Sequence, residues 1–166
     1  GDCGGCALQH WQGPAVDNWK RDQVIQALAR RGLDCRPEPT VSGQAGQRRR
    51  TRLAARRGPS GLVLGYHGRA SRRIVAIDAC PLLTADLAEL LTPLGSLLGD
   101  LPALGRDLEI GLTAADNGVD LLLKGEEPDL DGRQALVAFA AEHDLARISW
   151  APPGEAAETV VQQRPP

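Results

Sequence analysis

Apolar and polar positions along the chain change period several times, and each change marks an element. Over residues 12–31, Val16, Trp19, Ile25 and Leu28 recur at roughly helical spacing, with Pro14 in the first turn and Gly32 just past the end. A helix is predicted there, with Arg30 and Arg31 in its last turn, where the dipole favours cations. Residues 34–46 hold Pro37, Pro39, Gly43 and Gly46 and read as a connector. From Gln47 the period falls to two. Residues 48–57, 62–66 and 73–77 read as three short strands separated by turns, an antiparallel meander. Thr84 is placed to cap a helix that turns Leu87, Leu90, Leu91 and Leu94 inward, and Pro93 weakens or kinks its end. Residues 108–113 and 119–124 flank Asp116-Asn117-Gly118, the strongest hairpin signal in the chain. Asp131 and Gln134 form a capping-box-like start for a helix to about His143 that buries Leu136, Val137 and Ala140. Residues 146–150 and 158–163 read as two closing strands around Pro152-Pro153-Gly154. The sum is an α+β fold: a mainly antiparallel sheet with two or three helices, preceded by a cysteine-rich loop and helix. The expected organisation is a cysteine loop and helix over residues 1–33, a connector over 34–46 and an α+β domain over 47–166.

Composition narrows this. At 166 residues, 42% hydrophobic and 24% charged, the chain has room for one ordinary domain with a packed core. No apolar run reaches membrane-spanning length and the start has no signal-peptide pattern, so a cytoplasmic location without membrane contact is expected. In that setting four cysteines are read as reduced thiols or ligands rather than a disulfide framework. The net charge of −2 hides an asymmetry: residues 1–77 hold 14 basic against 5 acidic side chains, residues 78–166 only 5 against 16. Nine arginines and no acid lie between positions 41 and 77. Such a stretch suits a phosphate polymer, and equally a solvated sheet face. Arg48, Arg50 and Arg52 alternate on one predicted strand and so share a face, which makes them the candidates for phosphate contact; Arg49 points the other way, and Arg72 and Arg73 flank a turn. With three Trp, one Tyr and one Phe, contacts to nucleic acid are expected chiefly at phosphate rather than through base stacking.

The candidate chemistry is at the start. Cys3-Gly4-Gly5-Cys6 is a short chelating loop, and glycine lets such a loop turn sharply and aim its amides at sulfur. A redox dithiol, half a zinc site and half a cluster site all begin this way. Gln9 and His10 follow as residues that either contact RNA or shape the loop, whereas His67 and His143 have no partner motif and read as surface residues. Cys80, held before Pro81 at the end of the third strand, is by itself a core cysteine. Glu126, Glu127 and Asp129 read as a solvated or docking surface, since neighbouring carboxylates without a pocket are no acid–base pair.

Taken in order, the C-G-G-C-x-L-Q-H run from Cys3 to His10, the arginine-led strand, L-G-Y at Leu64, Gly65 and Tyr66, and I-x-x-C-P-L-L from Ile77 to Leu83 resemble the iron–sulfur 23S ribosomal RNA (uracil-C5)-methyltransferases. The resemblance implies that Cys3, Cys6 and Cys80 are the second, third and fourth ligands of a [4Fe-4S] cluster. The first would lie six positions before Cys3, ahead of Gly1, and Cys35 matches no ligand. It further implies a cluster-bearing central domain set between an OB-like RNA-binding domain and a Rossmann-like domain that binds S-adenosylmethionine, with ribosomal RNA as partner and no obligate protein partner. The family's cysteine nucleophile and proton-abstracting carboxylate have no counterpart here, so no catalytic residue is expected in this chain. The competing reading is a stand-alone basic RNA-binding module with a structural zinc or redox CxxC. The cluster reading requires the opening thiols and Cys80 to come together in the fold.

Overall fold

The computed structural model describes residues 3–8 and 10–164. They divide into a larger unit, which joins the start of the chain up to Gly5 to everything from Ala45 onward, and a smaller unit, Cys6–Gln44. In the smaller unit Gly13–Ala29 forms α1, with Pro14 in the first turn, where a missing amide costs nothing. Arg30 is its C-cap rather than part of its last turn. The chain then doubles back along the helix. Arg21 Nε donates to the Pro37 carbonyl at 2.9 Å, Thr40 Oγ1 donates to the Asp17 carbonyl at 2.9 Å, and Ser42 donates to the Asp17 carboxylate. The apolar stripe of α1 is only half covered: Val16, Ile25 and Leu28 are half-buried, and Trp19, 41% exposed, meets Trp11 edge-on at 6.1 Å. A two-layered arm of this size has no second face against which to bury them.

The larger unit is built on a sheet. Its strands are β1 (Arg50–Gly58), β2 (Gly61–His67), β3 (Ile74–Ala76), β4 (Asp107–Ala115), β5 (Gly118–Lys124), β6 (Arg147–Ala151) and β7 (Glu158–Gln162). Among the described residues they form one seven-stranded sheet in the order β3-β2-β1-β4-β5-β6-β7. The predicted meander and hairpin are both present, with Ala115 opposite Gly118 across the Asp116-Asn117 turn. β5 and β6 are parallel, the other neighbours antiparallel. Parallel neighbours need a crossover, and the helix α4 (Leu130–Glu142) supplies it. The first strand begins two residues later than its alternation suggests. Arg48 is instead captured by residues 82–84: its N–H donates to the Leu82 carbonyl, and its own carbonyl accepts from the Thr84 N–H.

The helix expected after Thr84 is broken into α2 (Ala85–Glu89) and α3 (Leu91–Gly99), and the break falls before Pro93 rather than after it. A proline ring collides with the carbonyl four residues earlier, here Glu89, where α2 ends. Thr84 stands at the N-cap but its hydroxyl makes no capping bond and is buried without a partner. At α4 the cap is Asp129, whose carboxylate accepts from the Gly132 N–H at 2.8 Å, two residues ahead of the predicted Asp131. Val137, expected inside, is 45% exposed. Leucines of α2 and α3 and Leu136 and Phe139 of α4 join Leu53, Ile110, Leu121 and Ile148 in one core on a single face of the sheet. None of the larger unit's helices α2, α3 and α4 packs on the other face, and its strand positions are mainly polar, the usual state of an antiparallel sheet covered on one side.

Candidate nucleic-acid interface

Strand register sets the chemistry of the uncovered face. Arg50 lies opposite Thr113, which lies opposite Asp120, which lies opposite Arg147. In the next row Arg52 faces Gly111, then Leu122 and Ser149. Beyond these Glu109 faces Lys124, and Arg56 faces Asp107. Three of the cations are neutralised by a neighbour: Arg56 by Asp107 at 2.5 Å, Lys124 by Glu109 at 3.4 Å, and Arg147 by Asp120 at 2.6 Å. Among the described residues Arg50 and Arg52 have no ion pair, and both are exposed. They are also the two predicted phosphate ligands that share this face by alternation. The third, Arg48, is exposed but stands before the strand, and its charge is felt at Tyr66. Arg49 is occupied elsewhere: Nε donates to the Ala114 carbonyl at 2.9 Å and the guanidinium pairs with Asp116.

All four cysteines carry free thiols; Cys3, Cys6 and Cys80 are half-buried and Cys35 is exposed. Cys3 forms an antiparallel bridge with Gly68, just past β2, and the Gly4 N–H donates to the His67 carbonyl at 3.1 Å. Gly4 is required by this approach, because a Cβ there would stand 2.8 Å from the His67 carbonyl oxygen. The Gly5 amide points at the Cys3 sulfur, N to Sγ 3.4 Å, as a sulfur-directed loop requires. Cys80 lies against Tyr66, two residues before Gly68. Burial raises the Tyr66 phenol above its ordinary value; the hydrogen bond shared with Thr51 opposes this, and the Cys80 thiol adds to it. Tyr66 and Thr51 share a 2.6 Å hydroxyl contact on the core side of β1 and β2. Cys3 and Cys80 therefore both belong to the closing end of β2, and Cys6 opens the smaller unit. Among the described residues no three His, Cys, Asp or Glu side chains converge as a metal site. The donor chemistry, free thiolate-forming groups with an amide aimed at one sulfur, fits a thiophilic metal or cluster.

Two features escape a reading of the sequence. Arg57 belongs to the acid-free arginine stretch yet turns to the helical side, where its guanidinium donates to the Leu98, Gly99 and Leu101 carbonyls at 2.8, 2.8 and 3.2 Å. Its parity, odd where Arg50, Arg52 and Arg56 are even, is the signal that separates it. His67, read as an idle surface residue, lines a cavity of about 560 Å³ on the open face together with Arg52 and Ile74. His10 is exposed, edge-on to Trp11 at 6.1 Å, and Gln9 lies outside the described residues.

No family model matches the chain. It is 35% identical over 149 residues to an uncharacterized RNA methyltransferase of Brucella suis biovar 1, covering 89% of this chain and 36% of that protein. It is 37% identical over 150 residues to the 23S rRNA (uracil(1939)-C(5))-methyltransferase RlmD of Edwardsiella ictaluri, covering 87% of this chain and 34% of that protein. The chain thus spans about a third of the length of the curated relatives it matches. In fold it is similar to the Pyrococcus abyssi tRNA (uracil-54, C5)-methyltransferase in complex with S-adenosyl-L-homocysteine. The TM-score is 0.61 at 20% identity, over 96% of this chain and 39% of that one. Among the described residues no helix is long and apolar enough to cross a membrane.

Proposed function

We propose, from a homology to RNA uracil-C5 methyltransferases that extends over about a third of their length, that this chain is the RNA-positioning, iron–sulfur-bearing central part of such an enzyme, acting on ribosomal RNA with S-adenosylmethionine as methyl donor. The observation that carries the reading is the imbalance on the open sheet face. Its other cations are matched with carboxylates, while Arg50 and Arg52 present unopposed charge. A phosphate backbone laid across β1 would displace counterions at those two positions and at Arg48, fixing its register without reading sequence. No catalytic residue is assigned to this chain; the family's Rossmann-like domain would hold S-adenosylmethionine.

Cys3, Cys6 and Cys80 would supply three of the thiolates of a [4Fe-4S] cluster. When bound, such a group supplies a rigid crosslink. The backbone bridge of Cys3 to Gly68 and the contact of Cys80 with Tyr66 support this reading; β3 ends at Ala76, four residues before Cys80, so Cys80 lies in the loop beyond the strand rather than at its end. The experiment for the RNA reading is a salt titration. Replacing Arg48, Arg50 and Arg52 together by alanine should weaken RNA binding and flatten the dependence of log K on log salt by about 0.7 to 0.9 for each phosphate no longer neutralised. An unchanged slope would refute it. For the thiols, anaerobic reconstitution of the full-length protein with iron and sulfide should give a brown chromophore that Cys80→Ser abolishes; colour retained in the variant would remove Cys80 from the site.

A further inference from the structure

The cavity beside His67 is not explained by phosphate contact alone. It is a solvent-open hollow of about 560 Å³, and Arg52, His67, Ile74, Glu109, Lys124 and Pro153 stand in its wall. A second cavity of about 420 Å³ adjoins it on the same face, lined by Arg50, the Asp120–Arg147 pair and Ser149, and Arg52 borders both. We propose that the first cavity takes one unstacked base of a single-stranded RNA whose phosphates lie on Arg50 and Arg52. The inference rests on the RNA reading above and names the form of RNA that the face accepts.

Charge decides which part of a nucleotide goes where. Arg52 is the one charged side chain of this wall without an ion-pair partner among the described residues; beyond it Lys124 and Arg56 are already paired with Glu109 and Asp107, so a phosphate passing Arg52 into the cavity meets as much negative as positive charge. A neutral base meets no such opposition, and its N–H groups can donate to the same carboxylates. Apolar surface is present where a ring would lie: Ile74 is the register partner of His67 across β2 and β3, and Pro153 stands in the opposite wall. His67, exposed at this rim, offers a planar ring for stacking, the mode by which single strands are held without a duplex. Arg50 and Arg52 are separated by two residues of strand, about 6.6 Å. That spacing suits successive phosphates of an extended strand.

The test is a titration of the protein with a fluorescein-labelled single-stranded RNA of mixed sequence, and with its duplex, at several salt concentrations. His67→Ala should weaken single-strand binding about fivefold or more, leave the salt slope and the duplex affinity unchanged, and be rescued by His67→Phe. Arg52→Ala should lower the slope instead. If His67→Ala binds as the wild type while Arg52→Ala loses slope, the base site is wrong and the phosphate reading stands. Equal weakening of single strand and duplex also overturns the base site. A lowered Tm with unchanged RNA affinity would make His67 a packing residue of the fold and overturn it too. Absence of salt-dependent RNA binding by the wild type would instead overturn the RNA reading itself.

Discussion

Arginines that look alike in the sequence do different work because strand parity sends them to opposite sides of one sheet. Arg50 and Arg52 face solvent across from Thr113 and Gly111, where no carboxylate answers them. Arg57 crosses to the core side and meets the end of α3, where the last carbonyls have lost their regular helical partners four residues on. A guanidinium suits that place because it is planar, permanently charged and forked, and the C-terminal end of a helix favours a cation. Arg57→Ala strips hydrogen bonds from three carbonyls in a partly buried setting. It should cost about 1–3 kcal/mol of stability by urea unfolding, with Arg57→Lys recovering part of the deficit. The RNA salt slope should not change. A slope change in Arg57→Ala would mean that this arginine reaches phosphate after all.

At the scale of elements, β3 depends on one glycine in β2. A Cβ on Gly65 would overlap the Val75 carbonyl, a backbone group that cannot swing aside. Gly65→Ala should therefore unpair β3 from β2, seen as faster hydrogen exchange at the Val75 and Ile77 amides, which face β2, and a lowered Tm; unaltered exchange there would show that the pairing tolerates a side chain at this position. The L-G-Y run was visible in the sequence, but its reason was not, because the close approach joins residues ten apart. The same limit applies elsewhere. Periodicity found the meander, the Asp116-Asn117 hairpin and α4, since each is encoded locally. It misplaced the α4 cap by two residues because Asp129 and Asp131 are equally good caps and only packing chooses between them. It carried β1 back to Arg48 because nothing in the arginine run announces that residues 82–84 take that backbone. The shared face of Arg50 and Arg52 was legible from alternation. That they alone among this face's described cations stay unpaired depends on β4 and β5, more than fifty residues away, and could not be read from β1.

Over the whole molecule, the contrast between a basic first half and an acidic second half is largely cancelled by folding. β4 and β5 lie beside β1, so Asp107, Glu109 and Asp120 are spread over the same face as the arginines. The field that a phosphate chain meets is thus a small difference, and single carboxylates should tune it. Asp120 holds Arg147 at 2.6 Å in the row that begins at Arg50. Asp120→Asn leaves the side-chain shape almost intact and releases Arg147 toward the solvent side of the sheet. RNA binding should tighten, and the salt slope should steepen by about 0.7 as one more phosphate contact becomes available. Asp86→Asn, in α2 on the helical side, should change neither. If Asp120→Asn binds more weakly or with the same slope, the phosphate path does not run along the row from Arg50 to Arg147. The unopposed charge would then have to act from the β2 side of the sheet, where Arg52 and His67 stand together.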